Sequence, residues 1–201
     1  MREQDVVMVM RLLRPDPQSR EARTPPHGGS SGADVGYDFD AIFRSCVRDV
    51  HAYAFALLRD RAAAEDVTAV AFERLFRARG RLDAGRGSPR GLLFTIARNA
   101  ALDELRRRAR RPVADAPAAE RADARSQDEL EQVERRDYVA GALAALSPRE
   151  RELVLLKFHG QLSNAELARA LGISETNAAT RLHRALTRLR TACVAEREQV
   201  A

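Results

Sequence analysis

The chain has no tryptophan, two cysteines and a single lysine, Lys157, in 201 residues. Cys46 and Cys193 stand far apart, with no C-x-x-C pair and no histidine-rich spacing beside them. That argues against a structural zinc site and fits two buried thiols in a cytoplasmic protein. Apolar runs are short, Val6–Met10 among them, and none can span a bilayer. No small-residue cleavage pattern follows Val6–Met10, so neither membrane insertion nor a signal peptide is expected. There is no glycine-rich phosphate loop, no Ser/His/Asp spacing and no paired histidine ligands; His27, His51, His159 and His183 are scattered. An enzyme, a cofactor, a metal and a small-molecule substrate are therefore not expected. β-branched residues are sparse while Ala, Leu and Arg dominate, which predicts an all-α protein.

What is present is positive charge, unevenly placed. The net charge is +5, and the basic side is almost all arginine, whose planar fork suits phosphate. Residues 1–36 balance at zero. Residues 37–111 hold 16 basic against 10 acidic residues, residues 112–135 hold 3 against 7, and residues 136–201 hold 10 against 7. Two basic blocks flank an acidic bridge, as two nucleic-acid-facing modules would.

The patterning divides the chain at the same places. Residues 1–36 end in PPHGGSSGADVG, which predicts a disordered tail, with a marginal helix near Val6–Leu13. Apolar residues at spacings of three and four then predict a first helix from Phe39, lined by Phe39, Ile42, Phe43, Cys46, Val47, Val50, Tyr53, Ala54, Leu57 and Leu58. Arg59-Asp60-Arg61 breaks it. A second helix from about Ala62 would bury Val67, Val70, Ala71, Phe72, Leu75 and Phe76 and stop at Gly80. Arg81–Pro89 reads as a loop. A third helix, Arg90–Arg108, would turn Leu92, Leu93, Ile96, Ala97, Ala100, Ala101 and Leu105 inward and end in arginines that complement its negative pole. Residues 112–135 read as a linker, with helical pattern resuming near Asp128.

The last domain, 136–192, carries the most specific pattern; 193–201 is expected to be a C-terminal tail. Ser147-Pro148-Arg149-Glu150 combines a capping serine, a proline at the first helical position and a glutamate that reaches back. Ser163-Asn164-Ala165-Glu166 repeats that logic, Gly172 supplies a turn, and Ser174 caps a final basic helix. This is the layout of a helix-turn-helix. Ala165, Leu167, Ala168, Leu171, Ile173, Ala178, Leu182, Leu186 and Leu189 would form its core. Ser174, Glu175, Thr176, Asn177, Thr180, Arg181, Arg184 and Arg188 would face DNA, polar groups toward base edges and arginines toward phosphates.

Residues 90–108, RGLLFTIARNAALDELRRR, resemble the promoter-reading segment of bacterial sigma factors of the sigma-70 family, in the small two-domain extracytoplasmic-function (ECF) group. Residues 64–77, AEDVTAVAFERLFR, resemble the preceding helix of the same domain, and LSPRERELVLLKFHGQLSNAELARALGISETNAATRLHRALTRLR is similar to the second domain. The resemblance implies that 37–111 binds core RNA polymerase and opens the minus-10 promoter element, and that 136–192 reads the minus-35 element as duplex. It implies Asp66, Ala69, Val70 and Phe72 at the polymerase, and Arg90, Arg98, Asn99, Asp103, Arg106 and Arg107, with loop Leu82–Pro89, at the minus-10 strand. It also implies an anti-sigma factor among the partners, and an acidic linker that threads the polymerase.

The chain departs from that pattern at three places. Ala69-Val70-Ala71 stands where the family usually has a Gln-Glu-Thr-like triplet, which removes polar contacts at the polymerase. Leu92, preceded by Gly91, replaces a common tryptophan. Ala179 replaces a lysine, while Asn177 is placed to pair with an adenine edge, so the minus-35 sequence read should differ from the commonest one. The competing readings are a helix-turn-helix regulator that never engages polymerase and a degenerate sigma-like interaction protein.

Overall fold

The computed structural model describes residues 37–78, 87–110 and 140–200, with side chains described as far as Cys193. The expected tail 1–36, Gly80, residues 82–86 of the loop and linker 112–135 lie outside these residues. All regular structure among the described residues is helical, in two separate units, 37–110 and 140–200.

The first unit packs α1 (Phe39–Leu58), α2 (Arg61–Ala78) and α3 (Pro89–Ala109) against one another. Asp38 caps α1 by accepting from the Ala41 amide. Arg59 ends it in the left-handed region at φ 53°, donating its amide to the Phe55 carbonyl. Asp60 then accepts from the Ala63 amide at 3.0 Å, so the Arg-Asp-Arg break is a cap followed by a new helix start. Ser88 caps α3 ahead of Pro89.

Alanines set the closeness of this packing. Ala54, Ala63, Ala64 and Ala101 join Leu58 and Val67 in one buried cluster where small side chains let the helices approach. Tyr53 and Phe94, both fully buried, meet edge to face at 5.8 Å. Phe94 was not among the expected inward residues, whereas Leu105 proves 36% exposed. Phe43 and Phe76, expected in the core, are 43% and 44% exposed. Three packed helices cannot cover an apolar stripe that wide, and its edge remains at the surface.

The second unit begins with a helical turn, 140–144, followed by α4 (Pro148–Phe158), α5 (Asn164–Leu171) and α6 (Glu175–Val200). Both predicted capping boxes form, Ser147 with Glu150 and Ser163 with Glu166. Gly172 adopts φ 66° and closes α5, while the Ile173 amide reaches back to the Ala168 carbonyl at 3.0 Å. Arg151 fixes the preceding turn by donating to the carbonyls of Leu143, Ala144 and Leu146. The buried stripe of α6 is Ala178, Leu182, Ala185, Leu189 and Cys193; Leu186 is only half-buried, one position off that stripe. The helix also continues to Val200 through residues expected to be a tail, because 191–200 holds neither proline nor glycine to stop it.

Candidate nucleic-acid interface

In the second unit the helical repeat separates two faces of α6. Opposite the buried stripe lie Thr176, Thr180, His183 and Thr187, with Arg184 beside them. Asn177, Arg181 and Arg188 flank this face on one side. Glu175, Thr176, Thr180, Arg181 and Arg184 are exposed, and Asn177 is half-buried. Ser174 is exposed, but its Oγ accepts from the Asn177 amide at 3.3 Å, so it works first as the helix cap. Thr180 and Thr187 each donate their hydroxyl to the carbonyl four residues back, leaving lone pairs and methyls outward.

Arg188 differs from the other arginines of the set. It is exposed, yet its guanidinium bonds the Glu150 carboxylate at the start of α4. Glu150 thereby joins the cap of α4 to α6. Hydrogen bonds from the Ser147 side chain hold its carboxyl below the usual range against the opposing effect of burial, with Arg188 adding to them.

In the first unit, Asn99, Asp103 and Arg106 recur at spacings of four and three on one exposed face of α3, flanked by Arg107. Arg106 pairs with Asp103 at 2.9 Å and Arg107 with Glu104 at 2.6 Å. Arg98 is half-buried, with Nη1 3.4 Å from the Asn99 amide oxygen.

Arg90 requires a correction. Its Nη2 lies 2.6 Å from the Asp49 carboxylate, which is 3% exposed, and its Nη1 lies 3.0 Å from the Cys46 sulfur. The guanidinium also sits over the Phe94 ring at 5.2 Å. Arg90 is thus turned into the unit and ties α3 to α1, because burial of Asp49 demands a cation there.

Phe72 lies deeper than the rest of the set expected at the polymerase. It is 5% exposed and packs edge to face with Phe43 at 4.9 Å and Phe39 at 6.2 Å. It supports the surface from beneath. Asp66 and Ala69 are exposed and Val70 half-exposed on the same helix. With Phe72 in its lining, an open and largely apolar groove of about 510 Å³ runs between α1 and α2, lined also by Phe43, Val47, His51, Thr68 and Ala69 and edged by Arg48 and Glu65.

Sequence patterning missed the network that closes this unit. Arg108 donates to Glu104 at 2.8 Å, to Asp60 at 2.8 Å and to the Leu58 carbonyl at 3.2 Å. The backbone amide of Ala63 and the Arg108 charge hold the Asp60 carboxyl below its ordinary value. Burial pushes Glu104 up, but hydrogen bonds from Arg108 and Arg107 outweigh it and leave it lowered. The Arg108 guanidinium is held above its ordinary value by Glu104. The arginine run was legible as a helix end; the role of its third member was not.

Comparison with known proteins bears on both units. The sigma-70 region 2 family model matches residues 42–111, and the sigma-70 region 4 model matches residues 136–189. The chain is 32% identical over 157 residues to the ECF RNA polymerase sigma factor SigL of Mycobacterium tuberculosis, covering 75% of this chain and 89% of that protein. It is 27% identical to the ECF RNA polymerase sigma factor SigM of Bacillus subtilis, over 75% and 92% of the two chains. Among solved structures, the sigma factor RpoE of Bartonella quintana, in complex with the anti-sigma factor NepR, aligns with a TM-score of 0.59 at 24% identity, covering 77% of this chain and 96% of that one. CnrH, solved with the cytosolic domain of CnrY, aligns with a TM-score of 0.57 at 19% identity, over 95% and 97%. No described helix is long and apolar enough to cross a membrane. A regulator that shares only the helix-turn-helix would leave α1–α3 unmatched; with both regions matched in order, the chain belongs to the ECF group of bacterial RNA polymerase sigma factors.

Proposed function

We propose that this sigma factor grips the promoter at two points while docked on core RNA polymerase. The first unit meets polymerase with Asp66, Ala69 and Val70 of α2 and the adjoining groove that Phe72 lines. Its α3 handles the melted minus-10 strand with Arg98, Asn99, Asp103, Arg106 and Arg107. The second unit lays α6 in the major groove at minus-35. Thr176, Asn177 and Thr180 face base edges there, and Arg181 and Arg184 face phosphates. An anti-sigma protein is a further partner by analogy with the relatives solved in such complexes.

The observation that carries this reading is the outward face of α6. Arg181 and Arg184 are exposed one after another along it and make no ion pair among the described residues. At the groove that Phe72 lines, apolar surface replaces the polar triplet usual in the family, so polymerase docking here rests on burial of apolar area.

Binding to minus-35 duplex and to core polymerase, measured separately, tests the division of labour. Arg181→Ala should weaken duplex binding and leave core binding intact; loss of core binding instead would sink the assignment. Asn177→Ala should cost affinity at one base position, and uniform weakening across sequences would count against an adenine contact.

A further inference from the structure

Most surface arginines of α2 and α3 are held in ion pairs: Arg61 with Glu65, Arg77 with Glu73, Arg106 with Asp103 and Arg107 with Glu104. Helix α1 is built differently. Arg44, Arg48 and Arg59 are all exposed, and none has an acidic partner among the described residues. Asp40 stands one turn before Arg44 but forms no ion pair with it among the described residues, Asp38 caps the helix, and Asp49 is buried against Arg90. Glu65, which lines the groove beside Arg48, pairs with Arg61 at 3.1 Å.

Two of the free cations are in line. Arg44, Arg48, His51 and Phe55 step along α1 by four, three and four, which puts them on one outward face opposite Val50, Tyr53 and Ala54, and Arg59 is exposed just past the helix end. At a rise of 1.5 Å per residue the helical part of this row is roughly 17 Å long. Within it Phe55 is 44% exposed, its ring parallel to that of His51 with centroids 6.5 Å apart. A row of unpaired arginines around a solvent-facing aromatic pair is the chemistry that holds single-stranded nucleic acid: cations follow the backbone and a base stacks on the ring. An acidic protein segment would satisfy the arginines but gives no reason for the flat ring pair.

We propose that the outward face of α1 is an additional docking surface for the melted promoter strand, with phosphates on Arg44, Arg48 and Arg59 and a base on the Phe55–His51 stack. The proposal rests on the reading that this unit handles melted DNA; Arg48 and His51 also border the groove assigned to polymerase, whereas Arg44, Phe55 and Arg59 lie outside it.

The test uses holoenzyme assembled from the full chain and core polymerase, binding a DNA duplex with a mismatched, permanently open centre across a salt series. Replacing Arg44, Arg48 and Arg59 together by alanine should lower affinity about tenfold at low salt. It should also reduce the salt slope by about 2, at about 0.7 for each single-strand phosphate no longer neutralised. The triple lysine variant, which keeps charge and checks folding, should restore the slope. Phe55→Leu should lower affinity about threefold with the slope unchanged, since stacking rather than charge is removed. A slope unchanged in the alanine variant overturns the proposal. So does a loss of core polymerase binding in its place, which would make the face a protein interface. Unaltered binding of a minus-35 duplex by the same variants keeps this outcome separate from the two-point reading; failure of the unsubstituted holoenzyme on open DNA would sink both.

Discussion

The guanidinium of Arg90 lies 2.6 Å from a carboxylate oxygen of Asp49, and that carboxylate is 3% exposed. A cation at the first turn of α3 is therefore the counter-ion of an acid buried on α1, across 41 residues of chain. Arg90→Ala would remove the cation facing the buried Asp49 carboxylate, at a cost on the order of 3 kcal/mol. Urea unfolding should show a lower midpoint, and Asp49→Asn in the same chain should recover part of it. A variant as stable as the parent would return Arg90 to the DNA-facing set.

Gly172 turns the chain between α5 and α6 at φ 66°, where an added Cβ meets nothing within 4 Å. Space is available and only backbone conformation resists a side chain. Gly172→Ala should then destabilise by about 1 kcal/mol and Gly172→Asn by less, since Asn tolerates the left-handed region. Equal losses would point to packing instead.

Arg188 is held by Glu150, whereas Arg181 and Arg184 are not held by any acid among the described residues. Their alanine variants should differ accordingly. Arg181→Ala and Arg184→Ala should each reduce the salt slope of minus-35 duplex binding by about 0.9, and Arg188→Ala by clearly less. The Glu150–Arg188 pair, with an exposed arginine, should contribute less than about 1 kcal/mol to stability. Three equal slopes would place Arg188 on phosphate with the others.

Asp60 and Glu104 both have lowered pKa values in the folded unit. A carboxylate whose pKa falls on folding stabilises the fold above its unfolded pKa, and that contribution is lost as pH falls through the lowered folded value. The first unit should hold its stability down to the ordinary carboxylate range and lose it on further acidification. Asp60→Asn and Glu104→Gln should flatten that acid limb in pH-dependent thermal melts. An acid limb unchanged by both would remove the Arg108 network from the account.

Local signals carried most of the fold. Ser147 with Glu150 and Ser163 with Glu166 are capping boxes whose partners lie three residues apart, and Gly172 announces its own turn. The long-range pairs were hidden for the opposite reason. Arg90 with Asp49, Arg108 with Asp60 and Arg188 with Glu150 are joined only once helices pack, and an arginine in sequence looks the same whether it meets phosphate or carboxylate. Apolar periodicity likewise located α1 and α2 but not the edge of burial, so Phe43 and Phe76 looked like core until three helices proved too few to cover them.

The central claim is a two-point grip used on polymerase. Purified protein, mixed with core RNA polymerase, should yield start-site-specific run-off transcripts from a genomic promoter library, and these should fall sharply with Arg181→Ala. Duplex binding without core association, or core association without specific transcripts, would contradict it.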